Sequence, residues 1–141
     1  MTGIVIVSHS WKIAEGVRDL VLEMAHDWED KIIAAGGLDD EDKSIGTDVE
    51  KIMNAISHAN KNADNGGVVV LADMGSGVMS AETAIDLLLD NEDETLNSIK
   101  VKIADAPLVE GTVCAAVEAS GGGDLDAVLK AAESSRGENK L

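Results

Sequence analysis

Val68-Val-Val-Leu-Ala72 stands between the Asn/Asp/Gly punctuation of residues 60–67 and the turn-forming Asp73-Met-Gly-Ser-Gly77. A short, unalternated run of this kind is a strand covered on both faces, and it limits the chain to folds in which helices sandwich a sheet. Gly3-Ile-Val-Ile-Val-Ser8 is a second β-branched run, and Ile13, Val17, Leu20, Val21 and Met24 follow it at helical spacing. Lys31 to Ala35 reads as a shorter strand, ending in Gly36-Gly37 and an acidic loop through Lys43. Thr47 to Glu50 fits a capping box in which the Thr47 hydroxyl takes a backbone N–H, with Ile45, Val49, Ile52, Met53 and Ile56 as the buried face of the helix it opens.

Val78, Ala81, Ile85 and Leu88 continue the pattern as a third helix. Ile99 to Ala104 reads as a fourth strand, and Pro107 suits the first turn of a helix that stops at Gly121-Gly-Gly123. Asp124 caps a last helix that buries Leu125, Val128 and Leu129. The alternation of strand and helix implies an α/β, doubly wound, mostly parallel sheet with helices on both faces, flavodoxin-like in order. The 141 residues suit one domain, taken as residues 1–133, with a polar tail over 134–141. The apolar 45% contains two Trp and no Phe or Tyr, so the layers must pack on aliphatic side chains.

Charge and missing features narrow the function. The net charge of −16, from 27 acidic and 11 basic residues, repels phosphate backbones and argues against nucleic acid as a partner. Such acidity points to a salty cytoplasm, where self-repulsion is screened. No apolar run approaches the roughly 20 residues of a membrane span, and no signal-like region opens the chain. The expectation is a soluble, cytoplasmic protein without membrane insertion. Cys114 is alone and reads as packing. With no His/Cys pairing and the acids scattered, no metal site is expected.

In an open α/β sheet of order 2-1-3-4 the crevice falls at the carboxyl ends of strands one and three. Those ends carry Ser8-His9-Ser10 and Asp73-Met74-Gly75-Ser76-Gly77. An imidazole, with an unperturbed pKa of about 6.5, offers a neutral nucleophilic nitrogen near neutral pH, so His9 is the candidate phosphoryl carrier. Asp73 is placed to accept the other ring N–H and fix the tautomer. Both segments lead into helices, so backbone N–H groups near Ser10 to Lys12 and Ser76 to Val78 would converge on an anion. Ser10, Gly75, Ser76 and Gly77 are the candidate phosphoryl-binding residues, the glycines allowing close backbone approach. His26 and His58 read as solvated.

The chain resembles the phosphotransferase subunit of the dihydroxyacetone kinases that use phosphoenolpyruvate, related to the mannose-type enzyme IIA domains of the sugar phosphotransferase system. The resemblance rests on Ile4-Val-Ile-Val-Ser-His-Ser10, Ile45-Gly-Thr-Asp48, Ala72-Asp-Met-Gly-Ser76 with Ser80-Ala-Glu-Thr-Ala84, and Ala106-Pro-Leu-Val-Glu-Gly-Thr112. It implies a relay in which His9 takes a phosphoryl group from the phosphocarrier HPr and passes it to ADP on the kinase's nucleotide-binding subunit. No bound cofactor is implied, only the phosphoryl group carried covalently on histidine, and the protein is implied to be a homodimer. Partner contacts are expected near Lys12, Thr47, Leu108, Glu110 and Gly111. Some family members continue into phosphocarrier and enzyme I-like domains, whereas this sequence stops at Leu141, so a separate donor is expected. Two other readings compete. One is the enzyme IIA of a mannose-type sugar transporter, with a different acceptor. The other is a receiver-like regulatory module phosphorylated on Asp73, although strand one lacks the acidic pair that would hold magnesium. A flavin carrier would want a Gly/Thr-rich loop and covering aromatics, which the sequence does not have.

Overall fold

β1 (Gly3–Ser8) and β3 (Val68–Ala72) form the centre of the sheet, and every one of their residues is buried. A computed structural model describes all of residues 1–141. β2 (Ile32–Gly36) pairs with the outer side of β1, and β4 (Val101–Ile103) with the outer side of β3. All three pairings are parallel, in the order β2-β1-β3-β4. The reversal between β1 and β3 therefore lies where the sequence put it.

Side chains alternate across the two central strands, and each set meets a different helical layer. Ile4, Ile6, Val69 and Leu71 pack with Ala14, Val17 and Val21 of α1 (Trp11–Leu22), Ala115, Ala116 and Ala119 of α5 (Leu108–Ser120), and Val128 and Ala132 of α6 (Leu125–Glu133). Val5, Val7, Val68 and Val70 pack with Ile52, Ala55, Ile56 and Ala59 of α2 (Val49–Asn62) and Ala81, Ala84 and Leu88 of α3 (Gly75–Leu89). A fully buried aliphatic side chain of this size contributes about 1.5–3 kcal/mol, so the two central strands form the rigid base from which the site projects.

Several expected details differ. Ile13, Leu20 and Met24 are about half exposed, because α1 touches the sheet through small residues: a β-carbon on Gly36 would lie 2.7 Å from that of Ala14. Ile45 is 73% exposed and precedes α2. The cap of α2 is Asp48, whose carboxylate accepts from the Lys51 N–H at 3.0 Å, and not Thr47. Pro107 is the N-cap of α5 rather than part of its first turn, and Cys114 is half-buried. A short helix α4 (Glu94–Asn97), capped by Asp93, arises from the acidic stretch before β4. Ser134–Gly137 forms a further helical turn in which Ser135 is buried.

The two sheet edges are unlike. The outward carbonyls of β2 at Ile32 and Gly36 accept from the Arg18 guanidinium at 2.6 Å and the Lys51 ammonium at 2.9 Å. On β4, Lys100 and Ala104 bond back to β3, so the backbone groups of Val101 and Ile103 point away from the sheet with no strand beyond them. No helix is long and apolar enough to cross a membrane.

Candidate active site

β1 and β3 end side by side, and the residues that leave them are locked together. The Asp73 N–H donates to the Val7 carbonyl at 3.1 Å, extending the pairing past Ala72. Asp73 Oδ2 then accepts from the His9 N–H at 3.0 Å and the Ser8 hydroxyl at 2.8 Å. Its other oxygen, Oδ1, lies 2.9 Å from His9 Nδ1. Ser8 Oγ accepts in turn from the Ser10 N–H at 3.1 Å. Ser8, fully buried, is a site residue that sequence reasoning left without a role; a hydroxyl closing an otherwise apolar strand was the available signal.

Electrostatics fix the tautomer. Partial burial pushes the Asp73 carboxyl up, but the bonds from the His9 N–H, the Ser8 hydroxyl and the His9 ring hold it below its ordinary value. Asp73 is thus a carboxylate that can only accept, so the ring proton sits on Nδ1. The lone pair is left on Nε2, 2.6 Å from Ser76 Oγ, which must donate to it. His9 is half-buried: the Asp73 edge is enclosed and the Nε2 edge faces outward under Ser76.

The remaining candidates fall into distinct places. Gly77 is buried, and a β-carbon there would lie 3.0 Å from Asp73 Oδ1 and 3.6 Å from His9 Cε1, so a side chain at this position would press on the Asp73 carboxylate. Gly75 faces open space, and nothing there requires glycine. Ser10 caps α1, its hydroxyl accepting the Ile13 N–H at 3.2 Å. The N–H groups of Gly77 and Val78 are bonded to the Met74 carbonyl. The N–H groups open to an anion are therefore those of Trp11 and Lys12 in α1 and Gly75 and Ser76 in α3, one residue earlier in α3 than expected. Met74, the N-cap of α3, supplies no side-chain cap.

Around this centre lies a mixed rim. Lys12 is exposed, and Lys43 sits 4.1 Å above the Trp11 ring. Ile45, Met74, Met79 and Val109 are exposed apolar side chains. A cleft of about 440 Å³ beside Asp73 is lined by Met74, Val78, Glu82 and Asp105 among others. Glu110 is half-buried and pairs with Lys140 at 3.1 Å. Leu108 packs partly into the core, and Gly111 is buried, where an added β-carbon would meet that of Ala106 at 2.8 Å; Gly111 offers no contact surface. Thr47 is half-buried and bonds to Ser80. His26 and His58 are exposed and distant in the fold from these strand ends.

Comparison with known proteins identifies the family. The model of the EIIA-man family, described as the PTS system fructose IIA component, matches residues 3–129. The chain is 45% identical over 132 residues to the PEP-dependent dihydroxyacetone kinase phosphoryl donor subunit DhaM of Pantoea ananatis. That match covers 94% of this chain but only 26% of the relative, so the chain spans about a quarter of that protein's length. A DhaM subunit of Listeria innocua is 38% identical, with 92% of this chain and 95% of the relative covered. The crystal structure of a protein of unknown function, EF1359, superposes with a TM-score of 0.74 at 30% identity, covering 99% of this chain and 98% of that one. The chain belongs to the mannose-type IIA family of the phosphotransferase system. Within that family it sits with the DhaM subunits.

Proposed function

We propose that this chain is a phosphohistidine relay in which Nε2 of His9 accepts a phosphoryl group from HPr and passes it to ADP held on the nucleotide-binding subunit of a dihydroxyacetone kinase. The observation that carries the reading is the tautomer lock. Asp73 keeps the proton on Nδ1, which leaves the Nε2 lone pair directed outward, where a second protein can present a phosphoryl group. The family's DhaM relatives, named as phosphoryl donor subunits, support the choice of kinase over sugar transporter.

The chemistry follows from the surroundings of Nε2. Ser76 Oγ lies 2.6 Å from Nε2, so Ser76 must swing aside as phosphorus arrives and can then donate to a phosphoryl oxygen. Positive charge developing on the ring meets the Asp73 carboxylate. The exposed apolar residues Ile45, Met74 and Val109 suit docking of a partner around the histidine. The homodimer implied by the family is proposed to pair along the edge of β4, which has no strand beyond it.

The receiver-like alternative is weakened by the same geometry. Both oxygens of Asp73 are engaged, by three hydrogen bonds in all, which leaves that carboxylate poorly placed to act as a nucleophile. The test is incubation with phosphoenolpyruvate, enzyme I and HPr, followed by mapping of the modified residue by mass spectrometry at neutral to alkaline pH. Label on His9 that is lost in acid and kept in alkali is expected, and none on His9→Ala. Full labelling of His9→Ala, or an alkali-labile label on Asp73, would overturn the reading.

A further inference from the structure

His9 is enclosed by a circuit of hydrogen bonds that runs through two elements besides β1 and β3. Its carbonyl accepts from the Gly46 N–H at 2.9 Å. The next residue, Thr47, meets Ser80 with 2.6 Å between hydroxyl oxygens. Ser80 lies one turn beyond Ser76 on the same face of α3, and Ser76 closes the circuit on Nε2 at 2.6 Å. Gly46 has a φ of +146°, a backbone conformation that side chains disfavour, so the loop is shaped to bring its N–H onto His9.

Thr47 is not needed where it stands to cap α2, since Asp48 does that. Nor does Ser80 satisfy a backbone group. The pair is a neutral hydroxyl bond in which either oxygen could be the donor, at a half-buried position beside the reactive histidine. The polar side chains bonded into this circuit and to His9 are Ser8, Asp73, Ser76, Thr47 and Ser80, and none is a cation.

We infer that Thr47 is a phosphoryl-binding residue, and that Ser80 is the positioning residue that holds its hydroxyl until the phosphoryl group arrives. This deepens the relay reading and rests on it. In the transfer the Nε2 lone pair forms a bond to phosphorus while the donor's bond to phosphorus breaks, its electron pair staying with the donor. Nδ1 keeps its proton, and the charge left on the ring faces Asp73. Ser76 has then lost Nε2 as an acceptor and turns its proton to a phosphoryl oxygen. Thr47 rotates from Ser80 and does the same. Neutral donors hold the dianion without the deep well that a lysine or arginine contact would make, which suits a group that must be passed on.

The test uses the equilibrium distribution of phosphoryl groups between HPr and the full chain, with 31P NMR of the phosphorylated histidine as a second readout. Thr47→Val, which keeps the shape but loses the hydroxyl, is expected to shift the distribution toward HPr by about tenfold, the scale of one hydrogen bond to a charged group. The 31P resonance should move with it. Thr47→Ser should restore both. Ser80→Ala breaks the same resting bond but frees the Thr47 hydroxyl, so the distribution should stay level or move toward this chain. Equal losses in Thr47→Val and Ser80→Ala would mean that the pair only clasps the loop to α3, and would overturn the inference. So would a Thr47→Val protein with parental distribution and resonance. If the parent chain itself takes no label from HPr, the relay reading fails, and this inference with it.

Discussion

Replacing Asp73 by asparagine should damage the site more than replacing it by alanine, because of how the three bonds to that side chain are arranged. An asparagine that directs its oxygen to the Oδ2 position keeps the bonds from the His9 N–H and the Ser8 hydroxyl. Its NH₂ then faces Nδ1 at the Oδ1 position, 2.9 Å away. The reverse orientation sets NH₂ against the His9 N–H, donor against donor, and loses a backbone bond. The first orientation therefore wins, and it forces Nδ1 to accept, which moves the ring proton to Nε2 and removes the nucleophilic lone pair. Stabilising the wrong tautomer in an Asp–His pair lowers rates by about 10⁴-fold. Alanine removes the orienting group without enforcing the wrong tautomer, an effect of about 10²-fold. Rapid-quench measurement of phosphoryl uptake from HPr should place the variants in the order parent, Asp73→Ala, Asp73→Asn. Nitrogen NMR of the imidazole should find the proton on Nε2 in the asparagine variant. An Asp73→Asn protein that accepts phosphoryl groups faster than Asp73→Ala, or keeps its proton on Nδ1, would refute the tautomer argument.

Gly36→Ala would set a β-carbon 2.6 Å from the Ser10 carbonyl and 3.0 Å from Trp11 Cα, so urea titration should show a loss of about 1–3 kcal/mol and slower phosphoryl uptake as α1 is displaced; an unchanged midpoint would count against the close α1–β2 contact. Because the folded-state pKa of Asp73 is depressed, its contribution to stability is in place above the unfolded value of about 3.9 and is lost as pH falls through the lower folded value. Acid titration of the parent against Asp73→Ala should show the two curves converging below about pH 4, and parallel curves there would contradict the assignment. With a net charge of −16 and its Lys and Arg ion pairs confined to Asp30, Asp105 and Glu110, the chain has more repulsion to screen than attraction to lose. Raising salt from about 0.01 to 1 M should raise Tm by on the order of 5 °C, and a fall would show that the ion pairs dominate.

What could be read in advance followed local chemistry. β1 and β3 have the expected limits because both are unalternated β-branched runs that suit only one kind of strand. Their side-by-side ends then made the pairing of His9 with Asp73 an expectation from topology. The misplaced details depended on distant partners. Thr47 and Asp48 are both capable caps, and the choice was made by Ser80, 33 residues away, which occupies the threonine hydroxyl. The apolar stripe of α1 is real in periodicity, yet the glycine that closes β2 draws the helix in so far that Ala14 takes the contact and Ile13 is turned outward. Likewise, whether a glycine in the Asp73 turn serves close approach depends on what stands opposite: His9 and Asp73 for Gly77, solvent for Gly75.

The cations that cover the Ile32 and Gly36 carbonyls on the outer flank of β2 bear on how copies of this chain can accumulate. A fibril that lengthens by adding strands needs every unit to be receptive on both flanks, like a monomer with two reactive ends. Here Arg18 and Lys51 act as terminators on one flank, and β4 remains the receptive one. Growth by edge pairing is therefore hindered once two β4 flanks have met, and two side chains on the β2 flank guard a crowded solution of this protein against open-ended polymerisation.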